Sequence, residues 1–279
     1  MAEVREITIL IVYLFILALS AARLLPFGAG KGRVMRRFRV GRAMTIGTRQ
    51  VQEDSYGICQ GPDAFMAVLA DGMGRDYGGK VSSRIAVETV KDMFSCYQSS
   101  ENPAYFFRRA FHAANAAILG VLDDGRGGAS VGAVLIRDGF LYYAVAGNVK
   151  VAVCRGGELV PLSAGHTVGM LAEGRFMEGS ITRQQALELL EDKRLYNYVG
   201  QDGFEEIEFF DTPVRLKERD TVVLMSDGLY EGVDWKTIEE LLAGRGKCQQ
   251  KAYDIIEAAN TGIQKEKDNA SIVLVEGFL

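Results

Sequence analysis

The sequence predicts an α+β domain in which helices pack on layers of antiparallel strands. Apolar strand-like runs follow one another, with hairpin turn signals between them at Asp138-Gly139 and Gly156-Gly157. The helix-like segments occur in groups and do not alternate with single strands, which favours α+β layers over a doubly wound parallel sheet. With 279 residues, the chain is long enough for one large domain or two small ones.

The periodicity of apolar residues places these elements along the chain. A continuous apolar run over 64–70 predicts a buried strand that ends in a turn at Asp71-Gly72. The other predicted strands are 38–46, 55–59, 130–136, 141–146, 149–154, 205–211, 221–225 and 270–276. The predicted helices are 79–97, 103–122, 182–193, 234–242 and 249–264.

The N-terminal segment predicts a membrane anchor. Residues 7–22 carry no charge, and with the segment up to Leu25 they would span roughly 28 Å as a helix, close to the thickness of a bilayer. A basic run follows, which places the C-terminal side in the cytoplasm. We therefore expect a transmembrane anchor over 1–25, a basic juxtamembrane linker over 26–37, and a single-pass cell-membrane protein with a cytoplasmic catalytic domain. A cleaved signal peptide and a helix of a soluble protein are the alternatives.

The composition excludes several classes of function. A net charge of -4 argues against a nucleic-acid-binding protein. The four cysteines are far apart and form no CxxC pair, so free thiols are expected and not disulfides or a zinc site. With only two histidines, any metal ion must be held mainly by oxygen atoms.

Five acidic residues lie at the ends of predicted strands. Asp71 and Asp227 each end an apolar strand and precede a glycine, Asp268 precedes the last strand, and Glu53 and Asp54 precede an early one. Any single one of these sites has a simpler explanation as an ordinary turn, because Asp bonds its own backbone and a following Gly accepts positive φ. The repetition of the pattern suggests that these side chains converge at one edge of the fold.

Converging carboxylates would need positive charge nearby. Like charges at short range raise each other's pKa or push the strands apart, and two divalent cations would compensate them. Carboxylates and a backbone carbonyl are ligands that select Mg²⁺ or Mn²⁺ over zinc. A pair of such ions stabilises the attacking and leaving oxygens in a displacement at phosphorus.

The same regions resemble, in order from about residue 41 to the C-terminus, the metal-dependent protein phosphatases of the 2C type, also called the PPM family, and its bacterial members in particular. The motifs that carry the resemblance are GTRQVQEDSYG, ADGMGRDYGGKVSS, GASVGAVLI, VAGNVKVAVCRGGELVPLSAGHT, SITRQQALELL, VVLMSDGLYEGV and KDNASIVLV. The resemblance implies a central antiparallel β-sandwich flanked by helices on both faces, in four layers αββα. The domain would cover 38–279, with a flap at about 165–202.

The resemblance also implies an activity and its partners. The chain is expected to hydrolyse phosphoserine and phosphothreonine in proteins, through a water or hydroxide that bridges two Mn²⁺ or Mg²⁺ ions. Its partners would be a phosphoprotein substrate, a Ser/Thr kinase whose action it reverses, and the membrane through the N-terminal helix, with no nucleic acid. The alternative is a catalytically weak or inactive phosphatase-fold sensor or scaffold at the membrane.

Roles at the site are implied residue by residue. Arg49 would bind the substrate phosphate, since a guanidinium meets two phosphate oxygens at once. The implied metal ligands are Glu53, Asp54, which would orient a bound water, Asp71, which would bridge both ions, the carbonyl of Gly72, and Asp227 and Asp268; Arg49, Asp54 and Asp71 would form the catalytic set.

This chain departs from the family's pattern at three places. Asn148 stands where the family usually has an aspartate of a third, weaker ion site, to which Glu231 would also contribute. Asn148 offers only a neutral oxygen, which weakens the expectation of a third ion and motivates the scaffold alternative. Met73 replaces a histidine of animal members, as is common in bacterial ones, and the strand at 129–132 lacks the usual threonines.

Overall fold

The computed structural model describes residues 38–98, 100–122, 126–210 and 212–277. Their strands form two sheets in which all the pairings are antiparallel. The first sheet contains β1 (Arg39–Thr45), β6 (Lys150–Arg155), β7 (Glu158–Pro161), β10 (Thr221–Met225) and β11 (Ala270–Glu276), in the order β1-β11-β10-β6-β7. The second contains β2 (Ser55–Gln60), β3 (Ala64–Gly74), β4 (Gly127–Arg137), β5 (Phe140–Ala146) and β8 (Glu208–Phe209) in sequence order, with β9 (Val214–Arg215) also paired to β5.

Seven helices belong to the described part of the chain. They are α1 (Gly78–Ser95), α2 (Pro103–Leu119), α3 (Val168–Met177), α4 (Arg183–Leu189), α5 (Asp227–Gly232), α6 (Trp235–Ala243) and α7 (Cys248–Thr261). The start of α2 follows from its sequence, because the Asn102 side chain accepts the Ala104 N–H and proline follows at the first helical position.

Strand alternation divides the apolar core into three clusters. Phe65 and Leu69 of β3 lie in the cluster between the two sheets, together with residues of β6, β10 and β11. Met66 and Val68, on the other face of β3, pack against α1 and α2. Leu274 of β11 packs against α6 and α7 on the outer face of the first sheet. The layers therefore run helix, sheet, sheet, helix, and the predicted α+β fold of antiparallel sheets and helices is confirmed.

Three elements near the carboxylates differ from the prediction. The strand predicted to end at Asp71-Gly72 continues to Gly74, because β4 pairs with it along its whole length, from Arg137 opposite Ala64 to Gly127 opposite Gly74. Asp227 begins the short helix α5, which the sequence did not predict. The segment 165–202 contains α3 as well as the predicted helix near α4, and the strand predicted at 205–211 shrinks to β8.

The predicted membrane localisation needs correction. Among the described residues, no helix is long and apolar enough to cross a membrane. The longest of them, α1, has 18 residues and includes the charged side chains of Lys80, Arg84, Glu88 and Lys91. The prediction of a single-pass cell-membrane protein with a cytoplasmic catalytic domain is therefore wrong. The segment to which the anchor was assigned, 1–25, and the linker at 26–37 lie outside the described residues.

Candidate metal centre

Asp71 lies near the end of β3, opposite Ser130 of β4, and its side chain is partly accessible. The residue that follows must be a glycine. A Cβ on Gly72 would lie 2.1 Å from the carbonyl oxygen of Gly79 and 2.7 Å from that of Glu53. The absent side chain thus lets the start of α1 and the segment of Glu53 approach β3 directly.

Glu53 is held in place by groups distant in sequence. Its backbone N–H donates to Oδ1 of Asn269 (2.7 Å), and its carboxylate accepts the N–H of Lys80 at the start of α1. The buried Asn269 amide also donates to the carbonyl oxygens of Ile46 (2.9 Å) and Val51 (3.1 Å). Asn269 therefore fixes the segment that precedes Glu53, a function that the sequence analysis missed although the residue follows Asp268.

Asp54 is buried just before β2 and is bonded to the ends of β10 and β11. Its Oδ2 accepts the hydroxyl of Ser226 (2.9 Å), whose Oγ in turn accepts the Ser271 N–H (2.9 Å). Oδ1 of Asp54 has no hydrogen-bond partner among the described residues. Burial raises the pKa of Asp54 from its ordinary 3.8 to about 6, against the lowering effect of the hydroxyls of Ser271 and Ser226, and the charges of Asp227 and Asp268 add a smaller increase.

Asp227 reaches the same place from the N-terminus of α5. A Cβ on Gly228 would lie 2.1 Å from the Asn269 carbonyl oxygen, so this helix begins in close contact with the residues that precede β11. Oδ2 of Asp227 accepts a hydrogen bond from Nδ2 of Asn148 (2.9 Å), at the turn between β5 and β6. Sequence positions 148 and 227 thus meet at one end of the two sheets.

The pKa of Asp71 reflects the charges of neighbouring acidic residues. Burial raises its pKa well above the usual range, and the charges of Asp54 and Asp227, a hydrogen bond with Asp227, and the charge of Asp268 raise it further. The pKa of Glu53 is also raised, by burial first and by Asp268, against the lowering effect of Arg49. The structure therefore brings all five predicted acidic residues into one electrostatic neighbourhood.

Arg49 lies at the exposed side of this cluster. Its Nη2 lies 2.6 Å from Oδ2 of Asp268, and both side chains are largely exposed, at 60% and 46%. An exposed ion pair of this kind adds little to stability, so Arg49 is free to exchange partners at low cost.

The two residues predicted for a third ion bind protein groups. The amide of Asn148 donates to Asp227, as described above, and Oε2 of Glu231 lies 2.7 Å from Nζ of Lys193 in the segment 165–202. Neither Lys193 nor its contact was predicted from the sequence.

The donors of the cluster fit a divalent ion in chemistry more than in arrangement. Within the described ranges, no three acidic, histidine or cysteine side chains surround one ion-sized centre. Three of the carboxylates are instead bonded to protein donors: Asp54 to Ser226, Asp227 to Asn148 and Asp268 to Arg49. The chemistry nevertheless fits a hard cation. The cluster offers only oxygen ligands, and Oδ1 of Asp54 is buried without a partner.

His166 has a structural role. The ring is buried, and its Nδ1 accepts the N–H of Gly147 (3.1 Å), so the neutral ring carries its proton on Nε2. Burial lowers its pKa. His166 thereby fastens the start of the segment 165–202 to the turn that carries Asn148.

Known proteins resemble this chain over most of its length. The family model described as "Protein phosphatase 2C" matches residues 43–258. The serine/threonine phosphatase stp of Listeria monocytogenes is 25% identical over 236 residues, which cover 82% of this chain and 91% of that protein. A serine/threonine phosphatase of S. agalactiae has a similar fold, with a TM-score of 0.74 at 24% identity, over 86% of this chain and 100% of the other. The catalytic domain of the phosphatase PstP, solved with two manganese ions, matches with a TM-score of 0.67 at 24% identity, over 86% of this chain and 97% of that one. The chain belongs to the protein phosphatase 2C family.

Proposed function

We propose that this enzyme hydrolyses phosphoserine and phosphothreonine in proteins with the help of two Mn²⁺ or Mg²⁺ ions. The observation that carries the proposal is the meeting of Asp54, Asp71 and Asp227 at one end of an apolar sandwich, where burial and mutual repulsion raise the pKa of Asp54 and Asp71. Such an arrangement is costly unless it serves a cation. Because the carboxylates are all retained, an enzyme is favoured over an inactive scaffold.

The residues that would hold the ions are those that the family resemblance implies. Asp71 would contact both, the carbonyl of Gly72 and Glu53 would serve one, and Asp227 and Asp268 the other, with Asp54 behind them. When bound, the two ions supply an activated water and neutralise charge on the phosphoryl oxygens. The proposed domain extends over 38–279, with its flap at about 165–202.

The protein's own groups would bind the substrate and move protons. Arg49, at the exposed side of the cluster, presents a planar fork that suits two oxygens of a phosphate, and its exposed pair with Asp268 is weak enough to open. Asp54 has a pKa of about 6, in the range in which a carboxyl group exchanges protons at neutral pH. Ser226 fixes its orientation.

The relatives support the substrate class. The Listeria protein is named a serine/threonine phosphatase, and the PstP domain was solved with two manganese ions. On this basis we propose phosphoproteins as substrates and a Ser/Thr kinase as the opposing enzyme.

The proposal is tested with the full-length chain on a phosphothreonine peptide, with and without Mn²⁺. We expect Mn²⁺-dependent release of phosphate that Asp71→Asn reduces by at least about 100-fold, since several kcal/mol of charge stabilisation are lost. The matched control is Asp254→Asn on the exposed face of α7, which should retain activity. Equal turnover by the parent protein and Asp71→Asn would refute the proposal.

A further inference from the structure

Helix α5 carries two acidic side chains one turn apart, Asp227 and Glu231. Side chains at positions i and i+4 of a helix are neighbours, and like charges there repel each other. Asp71 adds a third carboxyl group beside Asp227. Positive charge or hydrogen-bond donors around this short helix would relieve that repulsion.

Asn148 provides a donor on one side. Its Nδ2 donates to Oδ2 of Asp227 (2.9 Å). Beside a carboxylate, an asparagine side chain must present its N–H, because its own amide oxygen is an acceptor and would be repelled. The backbone of the residue is fixed as well, because its N–H donates to Oγ of Ser130 (2.6 Å) and its carbonyl oxygen accepts the hydroxyl of Tyr230 (2.9 Å). With only 6% of Asn148 exposed, its amide is held as a donor to Asp227.

Lys193 provides a positive charge on the other side. Its Nζ lies 2.7 Å from Oε2 of Glu231. The backbone on both sides of Lys193 is held by the start of α3, since Gly169 N–H donates to the carbonyl of Asp192 and Val168 N–H to that of Arg194, each at 2.9 Å. The ammonium group is thus carried by an ordered part of the flap and reaches α5 from there.

We propose that the amide of Asn148 and the ammonium of Lys193 occupy the place at α5 where the family resemblance implies a third divalent ion. Lys193 thereby fastens the flap to the end of the sheets that carries the acidic cluster. A lysine ammonium is a compact point charge that can neutralise a carboxylate where a cation would otherwise bind. A divalent ion at this place would meet an N–H of Asn148. It would also have to displace Lys193 from Glu231, a pair with 67% and 36% of its side chains exposed that costs at most about 1 kcal/mol to open. The inference rests on the proposed function for the other two ions.

The first test counts bound Mn²⁺ per chain by equilibrium dialysis at millimolar free Mn²⁺, with the full-length protein. The parent protein should bind two ions, and the double variant Asn148→Asp/Lys193→Gln should bind three, because a carboxylate replaces the amide and the competing ammonium is gone. Three ions on the parent protein, or two on the double variant, would overturn the inference. No bound ion on any of these proteins would refute the proposed function itself.

The second test does not depend on the folding of the Asn148 variant. Hydrogen exchange is followed by mass spectrometry in the flap, with Lys193→Gln, Lys193→Arg and, as a control, Lys236→Gln, which removes an exposed helical pair with Glu240 on α6. Lys193→Gln should speed exchange at residues 167–195 by about two- to fivefold, the range for an exposed ion pair. Lys193→Arg should restore protection, and the control should leave it unchanged. Unchanged exchange in Lys193→Gln would overturn the fastening role.

Discussion

The inner and outer halves of the site balance their charges in different ways. The inner half consists of Asp54, Asp71 and Asp227, whose described hydrogen-bond partners are a hydroxyl, a carboxyl and an amide. In the outer half, defined by Asp268 and Glu231, each carboxylate faces a cationic side chain, Arg49 or Lys193 respectively.

This difference shows where the fold gives up stability for function. Residues 64–70 of β3 are fully buried and pack on both faces of their sheet, while the same strand places Asp71 among other acids a single residue later. A rigid apolar strand can hold a carboxylate in an unfavourable position that a loop would relax. The stability of the inner half should therefore depend on bound cations. The ion pairs of the outer half should depend on salt and on bound substrate.

The largest expected effect is that of Asp54→Asn, which should lower activity and raise the stability of the metal-free protein. Asp54→Asn should reduce Mn²⁺-dependent turnover by at least about 100-fold. In a chelator, the same change should raise the free energy of unfolding by about 1–3 kcal/mol, because it removes a buried acidic group from beside Asp227 and Asp268. Activity assays and urea unfolding measure the two effects. A variant that is less stable than the parent protein in chelator would contradict this view of the inner half.

Removal of metal should lower the melting temperature of the parent protein. Ligand at about 100 times its dissociation constant adds about 2.7 kcal/mol of stability, which corresponds to a fall of about 5–10 °C upon chelation in a domain of this size. Scanning calorimetry with Mn²⁺ and with EDTA provides the measurement. Asp71→Asn serves as the control and should show a much smaller difference. Identical melting curves for the parent protein would contradict the account.

The pKa of Asp54 predicts how the metal-free protein responds to pH. Between pH 3.8 and about 6 the folded state keeps a proton that the unfolded state has lost, so this group lowers stability as the pH rises through that window. The effect stays below the limit of about 1.4 kcal/mol per pH unit for one proton. In chelator, the melting temperature should therefore fall more steeply with rising pH for the parent protein than for Asp54→Asn. Parallel curves would contradict the shift.

The outer half should affect substrate binding more than catalysis. Arg49→Lys should raise KM for a phosphopeptide about tenfold with little change in kcat, because an ammonium cannot form two parallel bonds to a phosphate. Arg42→Lys is the matched control, since Arg42 of β1 lies over the ring of Tyr56 of β2. Steady-state kinetics distinguish the two variants. Equal KM values for both would remove Arg49 from the substrate site.

The sequence predicted the acidic cluster because strand ends are visible in apolar periodicity. It placed β11 correctly, with Asp268 before it, and it placed Asp227 just after the buried strand β10. It ended β3 too early, since a single chain does not show that β4 continues to pair beyond Asp71.

The contacts that orient the cluster were beyond sequence reasoning. The amide of Asn269 meets Glu53 across 216 positions, and Lys193 meets Glu231 from a flap of low periodicity. Such pairs depend on the packing of distant segments and leave no local pattern. The short helix α5 escaped prediction for a related reason, because its six residues are too few to show a helical repeat.

The most direct test of the account is a crystal structure with Mn²⁺, in which anomalous scattering locates the ions. We expect two peaks beside Asp71, one facing the Gly72 carbonyl and Glu53 and the other facing Asp227 and Asp268. Anomalous peaks elsewhere, or none beside an Asp71 that remains hydrogen-bonded to Asp227, would contradict the claim that these carboxylates form a metal centre.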